Sequence, residues 1–166
     1  MNMRILRGLI IAALLAAAAS PARAHEDSER AFGFRLGYGT GPGQFVAGLQ
    51  MDTGEITRWL HFVPSVDAGF GDDWTTLAIN GDLKFFLPLP ASGAVLYGLA
   101  GPAVTIWWPD EKARPDQERD TDLGVCLGFG VRMEFAKVGW YNIETRFGIG
   151  DVPEWRLLIG ILFGKR

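Results

Sequence analysis

The residues best suited to acid–base chemistry are His61, Ser65 and Asp67, an imidazole, a hydroxyl and a carboxylate on one seven-residue stretch. Together they are the parts of a nucleophilic triad. Their spacing works against it. In an extended strand all three fall on one face, but residues four apart are separated by about 13 Å, too far for a hydrogen-bonded relay within that strand. The other histidine, His25, would have to bind a metal with little more than its own backbone amine, because His61 lies far along the chain. The acid pairs Asp72–Asp73 and Asp110–Glu111 match no calcium-loop spacing and are expected to be solvated turns. Cys126 is the one cysteine, so no internal disulfide can form, and it is expected to be a small buried filler. No catalytic, cofactor-binding or metal-ligating residue is assigned.

A larger set of chemical groups remains: Asp67, Asp82, Lys84, Arg132, Glu134, Glu144 and Arg146. Such a set could line a channel or form a buried network of ion pairs. The elements that carry it decide between these. After Arg30 the apolar residues recur at every second position, the period of a strand. The first segment sets Phe32, Phe34, Leu36 and Tyr38 against Gly33, Arg35, Gly37 and Gly39. Leu123, Val125, Leu127, Phe129, Val131 and Met133 alternate with Asp122, Gly124, Cys126, Gly128, Gly130 and Arg132. Strands are predicted over 32–39, 45–52, 60–70, 77–87, 96–106, 122–135, 141–150 and 155–164, with turns or loops at 40–43, 53–58, 71–74, 88–93, 109–120, 136–139 and 150–153. Each strand has roughly 8–13 residues, the length that crosses hydrocarbon when tilted. The even number and the lack of helical periodicity predict an all-β fold, an eight-stranded antiparallel up-and-down barrel. Pro64 and Pro102 fall inside strands and demand a bulge or a strand that ends early.

Alternation permits two inside-out arrangements. A soluble carrier of an apolar ligand would turn the apolar face inward; a membrane barrel turns it outward. No charged residue falls on the apolar face. The opposite face mixes glycines with Arg35, Asp52, Asp67, Asp82, Lys84, Asp122, Arg132, Glu134, Glu144, Arg146 and Arg156. Glycine facing water adds no packing, whereas in a narrow lumen small residues make room for long ones. Five bases and six acids can pair there, as buried charges must. The membrane arrangement is therefore preferred. Eight strands leave an interior that side chains fill, so a salt-bridged core is expected rather than an open pore. Trp107, Trp108, Trp140 and Trp155, near strand ends, suit an interfacial aromatic girdle.

The N-terminus has the pattern of an export signal. Arg4 and Arg7 precede an apolar run from Gly8 to Ala19, and Ser20-Pro21 leads to Ala22-Arg23-Ala24, a small-x-small cleavage site. The run is too short to span a bilayer as a helix. Residues 1–24 are expected to be removed, leaving 25–166 as one barrel domain with 13 Lys+Arg against 19 Asp+Glu. That acidic balance argues against nucleic acid as a partner.

These features resemble the small outer-membrane β-barrel superfamily, which includes the barrel of outer membrane protein A and the OmpX-like and opacity-type proteins. The resemblance is carried by Phe32-Gly33-Phe34-Arg35-Leu36-Gly37-Tyr38, Val66-Asp67-Ala68-Gly69-Phe70-Gly71, Asn80-Gly81-Asp82 and Tyr141-Asn142-Ile143-Glu144-Thr145-Arg146-Phe147. It implies an outer-membrane location, lipid as the surrounding partner, both chain ends in the periplasm, and a structural or surface-interaction role with a protein or ligand contact through loop 109–120. The group also contains lipid A deacylases, whose late His-x-Ser motif is missing from Asn142–Arg146. A lipid-modifying enzyme of the outer membrane therefore stays as the alternative on barrel size alone, and no enzyme activity is expected.

Overall fold

The structure is a computed structural model that describes residues 30–89, 93–110, 118–135 and 138–164. The expected leader, His25, Glu111 and the centre of the 109–120 loop lie outside the described residues. The chain forms β1 (Ala31–Thr40), β2 (Gln44–Asp52), β3 (Glu55–Thr57), β4 (Leu60–Phe70), β5 (Trp74–Pro88), β6 (Ala94–Pro109), β7 (Asp120–Phe135), β8 (Gly139–Gly150) and β9 (Trp155–Gly164). Each strand pairs antiparallel with its neighbour, and β1 pairs with β9 from Ala31↔Gly164 to Thr40↔Trp155, which closes the sheet on itself. β2 and β3 are two parts of one wall element, so the barrel has eight staves.

Thr40 and Gln44, Phe70 and Trp74, Pro109 and Asp120, and Gly150 and Trp155 lie at one end of the staves, the mouth; Ala31, Gly164 and the opposite strand ends lie at the other, the base. Strands run further toward the mouth than the periodicity predicts: β6 continues to Pro109 and β7 begins at Asp120. The extra strand β3 lies inside the turn predicted at 53–58. The stave breaks there because Gly54 adopts φ +90° and its N–H turns back to the Asp52 carboxylate at 3.0 Å. Thr53 holds the junction, donating its N–H and its hydroxyl to the Phe62 carbonyl at 3.1 and 2.9 Å.

Both internal prolines fall where the ladder is interrupted. Pairing of β2 with β4 runs from Phe45↔Phe70 to Gln50↔Ser65 and stops one rung before Pro64. Pairing of β5 with β6 skips from Asn80↔Ala103 to Leu83↔Ala100, leaving Gly81–Asp82 opposite Gly101–Pro102 without a shift of register. A residue lacking an N–H thus costs no rung that the sheet otherwise makes. Gly101 is required by close approach: a Cβ there would run into the Gly81 carbonyl.

The faces lie as the membrane arrangement expects. Phe34, Leu127 and Ile159 are 53, 42 and 57% exposed, while Arg35, Arg132 and Glu144 are 1, 8 and 0% exposed. An apolar interior is therefore ruled out. Val104 departs in degree. It shares the outward face yet is buried, flanked in register by Ile79 and Leu123.

These contacts predict unequal effects for two alanine substitutions in β6. Gly101→Ala forces two backbones apart and should cost about 1–3 kcal/mol. Gly98→Ala, whose added methyl meets only open space or a carbonyl at 4.0 Å, should stay within about 0.5 kcal/mol of the parent. Urea unfolding in lipid vesicles measures both; equal destabilisation would refute the close-approach account.

Candidate functional site

Strand parity aims one residue in two at the barrel axis, and eight staves bring those side chains within reach of one another. The centre of the resulting cluster is Glu144 of β8. Its Oε2 accepts the Tyr97 hydroxyl at 2.9 Å and pairs with the Lys84 ammonium; its Oε1 accepts Arg146 Nε at 2.5 Å and Arg35 Nη1 at 3.4 Å. Arg146 reaches on to Asp82. Arg35 forks onto Asp67, with Nε and Nη2 each 2.6 Å from a carboxylate oxygen, and its Nη2 also donates to Ser65 Oγ at 2.7 Å. Asn80 and Arg156 add to Asp67 at 3.0 and 3.4 Å. Six staves, β1, β4, β5, β6, β8 and β9, are tied across the lumen by one connected set of charge-assisted bonds, the strongest class available to side chains.

Nearer the base a second cluster forms. Asp52 accepts from Arg132 Nη1 at 2.9 Å and lies 2.8 Å from His61 Nδ1. The Arg132 guanidinium stacks 4.3 Å over Phe86, and His61 meets the same ring edge-on at 4.6 Å. Toward the mouth the polar network gives way to a plug. Val152, from the last turn, packs with Ala103 and Cys126, and the Gly148 N–H donates to the Glu154 carbonyl at 2.9 Å. Val152 occupies the space that side chains at Gly124 and Gly148 would need.

The structure separates the triad candidates. His61 turns to Asp52, Ser65 accepts from Arg35 and Asn80, and Asp67 is held by Arg35. No hydroxyl is set against the imidazole in these contacts. Of the acid pairs, Asp110 donates its N–H to the Asp73 carbonyl at 3.0 Å, a turn contact. Cys126 is a buried filler, as expected.

The ion set needs revising. Glu134 is exposed and Asp122 half-buried, so the buried ions are Arg35, Lys84, Arg132, Arg146 and Arg156 against Asp52, Asp67, Asp82 and Glu144. Acid in slight excess becomes base in slight excess, because these two acids sit toward strand ends where the lumen opens. The four tryptophans also divide. Trp108 and Trp155 share the outward face. Trp107 and Trp140 turn inward: Trp107 meets Trp74 edge-on at 5.7 Å, and Trp140 lies 5.8 Å from the Arg132 guanidinium. Parity alone carried that signal for both. It also placed Ser65, Asn80, Tyr97 and Asn142 inward, but their neutral groups gave no charge by which to single them out as network members.

Two substitutions test the network. Glu144→Gln leaves Lys84, Arg146 and Arg35 facing a neutral amide and should cost about 3–5 kcal/mol. Removing a cation as well, in Glu144→Gln/Lys84→Met, should recover part of that loss. Denaturant unfolding in vesicles gives the cycle; a double variant no more stable than the single one contradicts mutual compensation.

No family model matches the chain, and no curated protein matches it. Solved structures do. The N-terminal β-barrel domain of Pseudomonas aeruginosa OprF aligns at a TM-score of 0.68 and 14% identity, over 82% of this chain and 97% of that one. Neisserial surface protein A aligns at 0.59 and 11%, over 81 and 94%. Ail of Yersinia pestis, in complex with the heparin analogue sucrose octasulfate, aligns at 0.54 and 11%, over 82 and 96%. At such identities the likeness is one of fold, and the chain has the fold of the small eight-stranded outer-membrane β-barrels.

Proposed function

We propose that the chain is exported by its first 24 residues and that residues 25–166 reside in the outer membrane as a closed barrel with a structural or surface-interaction role. The single observation that carries this is the inversion of the two faces. Phe32, Phe34, Leu36, Tyr38, Phe45 and Ile159 are each roughly half exposed, while four carboxylates and five cationic side chains are buried. In water that arrangement would expose a broad apolar belt around a charged centre. In hydrocarbon it is the stable one, because lipid solvates the belt and the ions solvate each other.

The lumen supports a closed barrel rather than a pore. Arg35, Glu144 and Arg146 cross its middle, Phe86, Tyr97 and Leu99 pack below, and Val152 seats above. The proposal includes no catalytic step, since His61 and Ser65 spend their hydrogen bonds on structural partners. Surface contact falls to the mouth, through the 109–120 loop. Among the described residues that end carries Asp72, Asp73, Asp110, Glu118, Asp120, Asp151 and Glu154 against Arg119. A sulfated sugar such as the one bound by Ail would meet like charge here, so the mouth favours neutral or basic partners.

Envelope fractionation followed by gel electrophoresis tests the reading. The protein should stay in the detergent-soluble membrane fraction and migrate differently with and without boiling, and it should give no steady conductance in planar bilayers. Recovery in the soluble periplasmic fraction with one mobility would overturn the membrane assignment. Discrete conductance steps would overturn the closed lumen.

A further inference from the structure

We propose that Arg58 and Trp59 form a seat for the headgroup of an anionic phospholipid at the base of the barrel, an inference that rests on the membrane reading above. Trp59 closes the turn between β3 and β4 with φ +69°, a left-handed conformation that bulky side chains rarely adopt. Glycine or asparagine would close such a turn without strain. Strain retained at one residue marks a place where its side chain has a use. The conformation is fixed by the Trp59 carbonyl, which accepts the Phe86 N–H at 2.8 Å, and by the indole, which meets Phe85 edge-on at 6.3 Å.

Trp59 is 39% exposed, its ring partner Phe85 43%, and Ile56 on β3, before the same turn, 58%. Over the indole, at 4.8 Å from the ring centre, lies the Arg58 guanidinium. No carboxylate among the described residues ion-pairs with Arg58; Glu55 on the same turn faces His61 Nε2 at 4.0 Å. An exposed guanidinium, held in place by stacking and set at the edge of an apolar belt, matches an amphiphile with an anionic head. Its fork pairs bidentately with phosphate oxygens, and stacking lowers the entropy lost when it does so. Phe85 and Ile56 continue the belt that would face the acyl chains.

Local charge favours the base over the mouth: near Arg58 in the chain stands one carboxylate, Glu55, and it faces His61. A second stack, Arg119 at 4.9 Å over Trp108, lies at the mouth between Glu118 and Asp120 in the chain, and Asp110, two residues after Trp108, bonds to Asp73. An anionic headgroup is repelled there. The base seat therefore predicts selectivity that the mouth stack lacks.

The full chain, folded and purified from membranes, would be offered phosphatidylglycerol and phosphatidylcholine in equal amounts, and the lipids retained would be counted by native mass spectrometry. The wild-type protein should prefer phosphatidylglycerol. Arg58→Gln should reduce that preference about fivefold, the effect of one basic side chain at an anionic surface. Arg119→Gln should leave it unchanged. Equal retention of the two lipids by the wild type, an Arg58→Gln variant that behaves as wild type, or an equal loss in Arg119→Gln would overturn the seat. A heat-shifted, membrane-fractionated protein without lipid preference fails the seat alone. A soluble protein with one gel mobility fails the membrane reading beneath it.

Discussion

Glu144 sets the terms for the rest of the molecule. A carboxylate with no exposure and four donors is tolerable only if those donors stay in place. They come from β1, β5, β6 and β8, so the network is satisfied only when the sheet is closed. Closure in turn removes the free edges that a sheet would otherwise present. The ion cluster and the topology are one constraint seen from two sides. Neither survives alone, because an open sheet would leave the ions wet on one face and unpaired on the other.

The space for this network comes from glycine. Long side chains such as Arg35 and Arg146 can lie across a narrow lumen because neighbouring inward positions carry no side chain. Gly48 faces the Asp67 carboxylate, and Gly160 faces Asn142 and Gln50, at distances a methyl group would violate. The distribution of small and ionic residues on one face is therefore a packing pattern, and the apolar belt is what remains for the outside. Shape, charge and surroundings agree across levels, as a sequence with a single fold requires.

Much of this was legible in the alternation of residues. The two faces follow from a period of two, and the inward direction of Arg35, Asp67, Lys84 and Glu144 from the mixture of glycines and pairable ions on one of them. What was not legible depended on contacts between distant segments. The break at Gly54 is set by Asp52 reaching back to it. Val152 reads as a turn residue and becomes a plug only because Gly124 and Gly148 lie beneath it. Glu134 obeys the inward parity but sits where the wall no longer encloses it. Trp107 and Trp140 were grouped with Trp108 and Trp155 by position along the chain, although parity separates them. That His61, Ser65 and Asp67 lie too far apart along one strand for a relay was read from spacing, and the structure shows which partner each takes.

The central claim is that lipid lies against the odd-numbered residues of β9 while the even-numbered ones face a closed, charged interior. Spin labels placed in turn at positions 157, 158, 159, 161 and 162, in a background with Cys126 replaced by alanine, report this directly through collisions with oxygen in lipid and with a water-soluble nickel chelate. The account predicts high oxygen accessibility at 157, 159 and 161 and low accessibility to both reagents at 158 and 162. Oxygen accessibility at the even positions, or contact of the odd positions with the chelate, would contradict it.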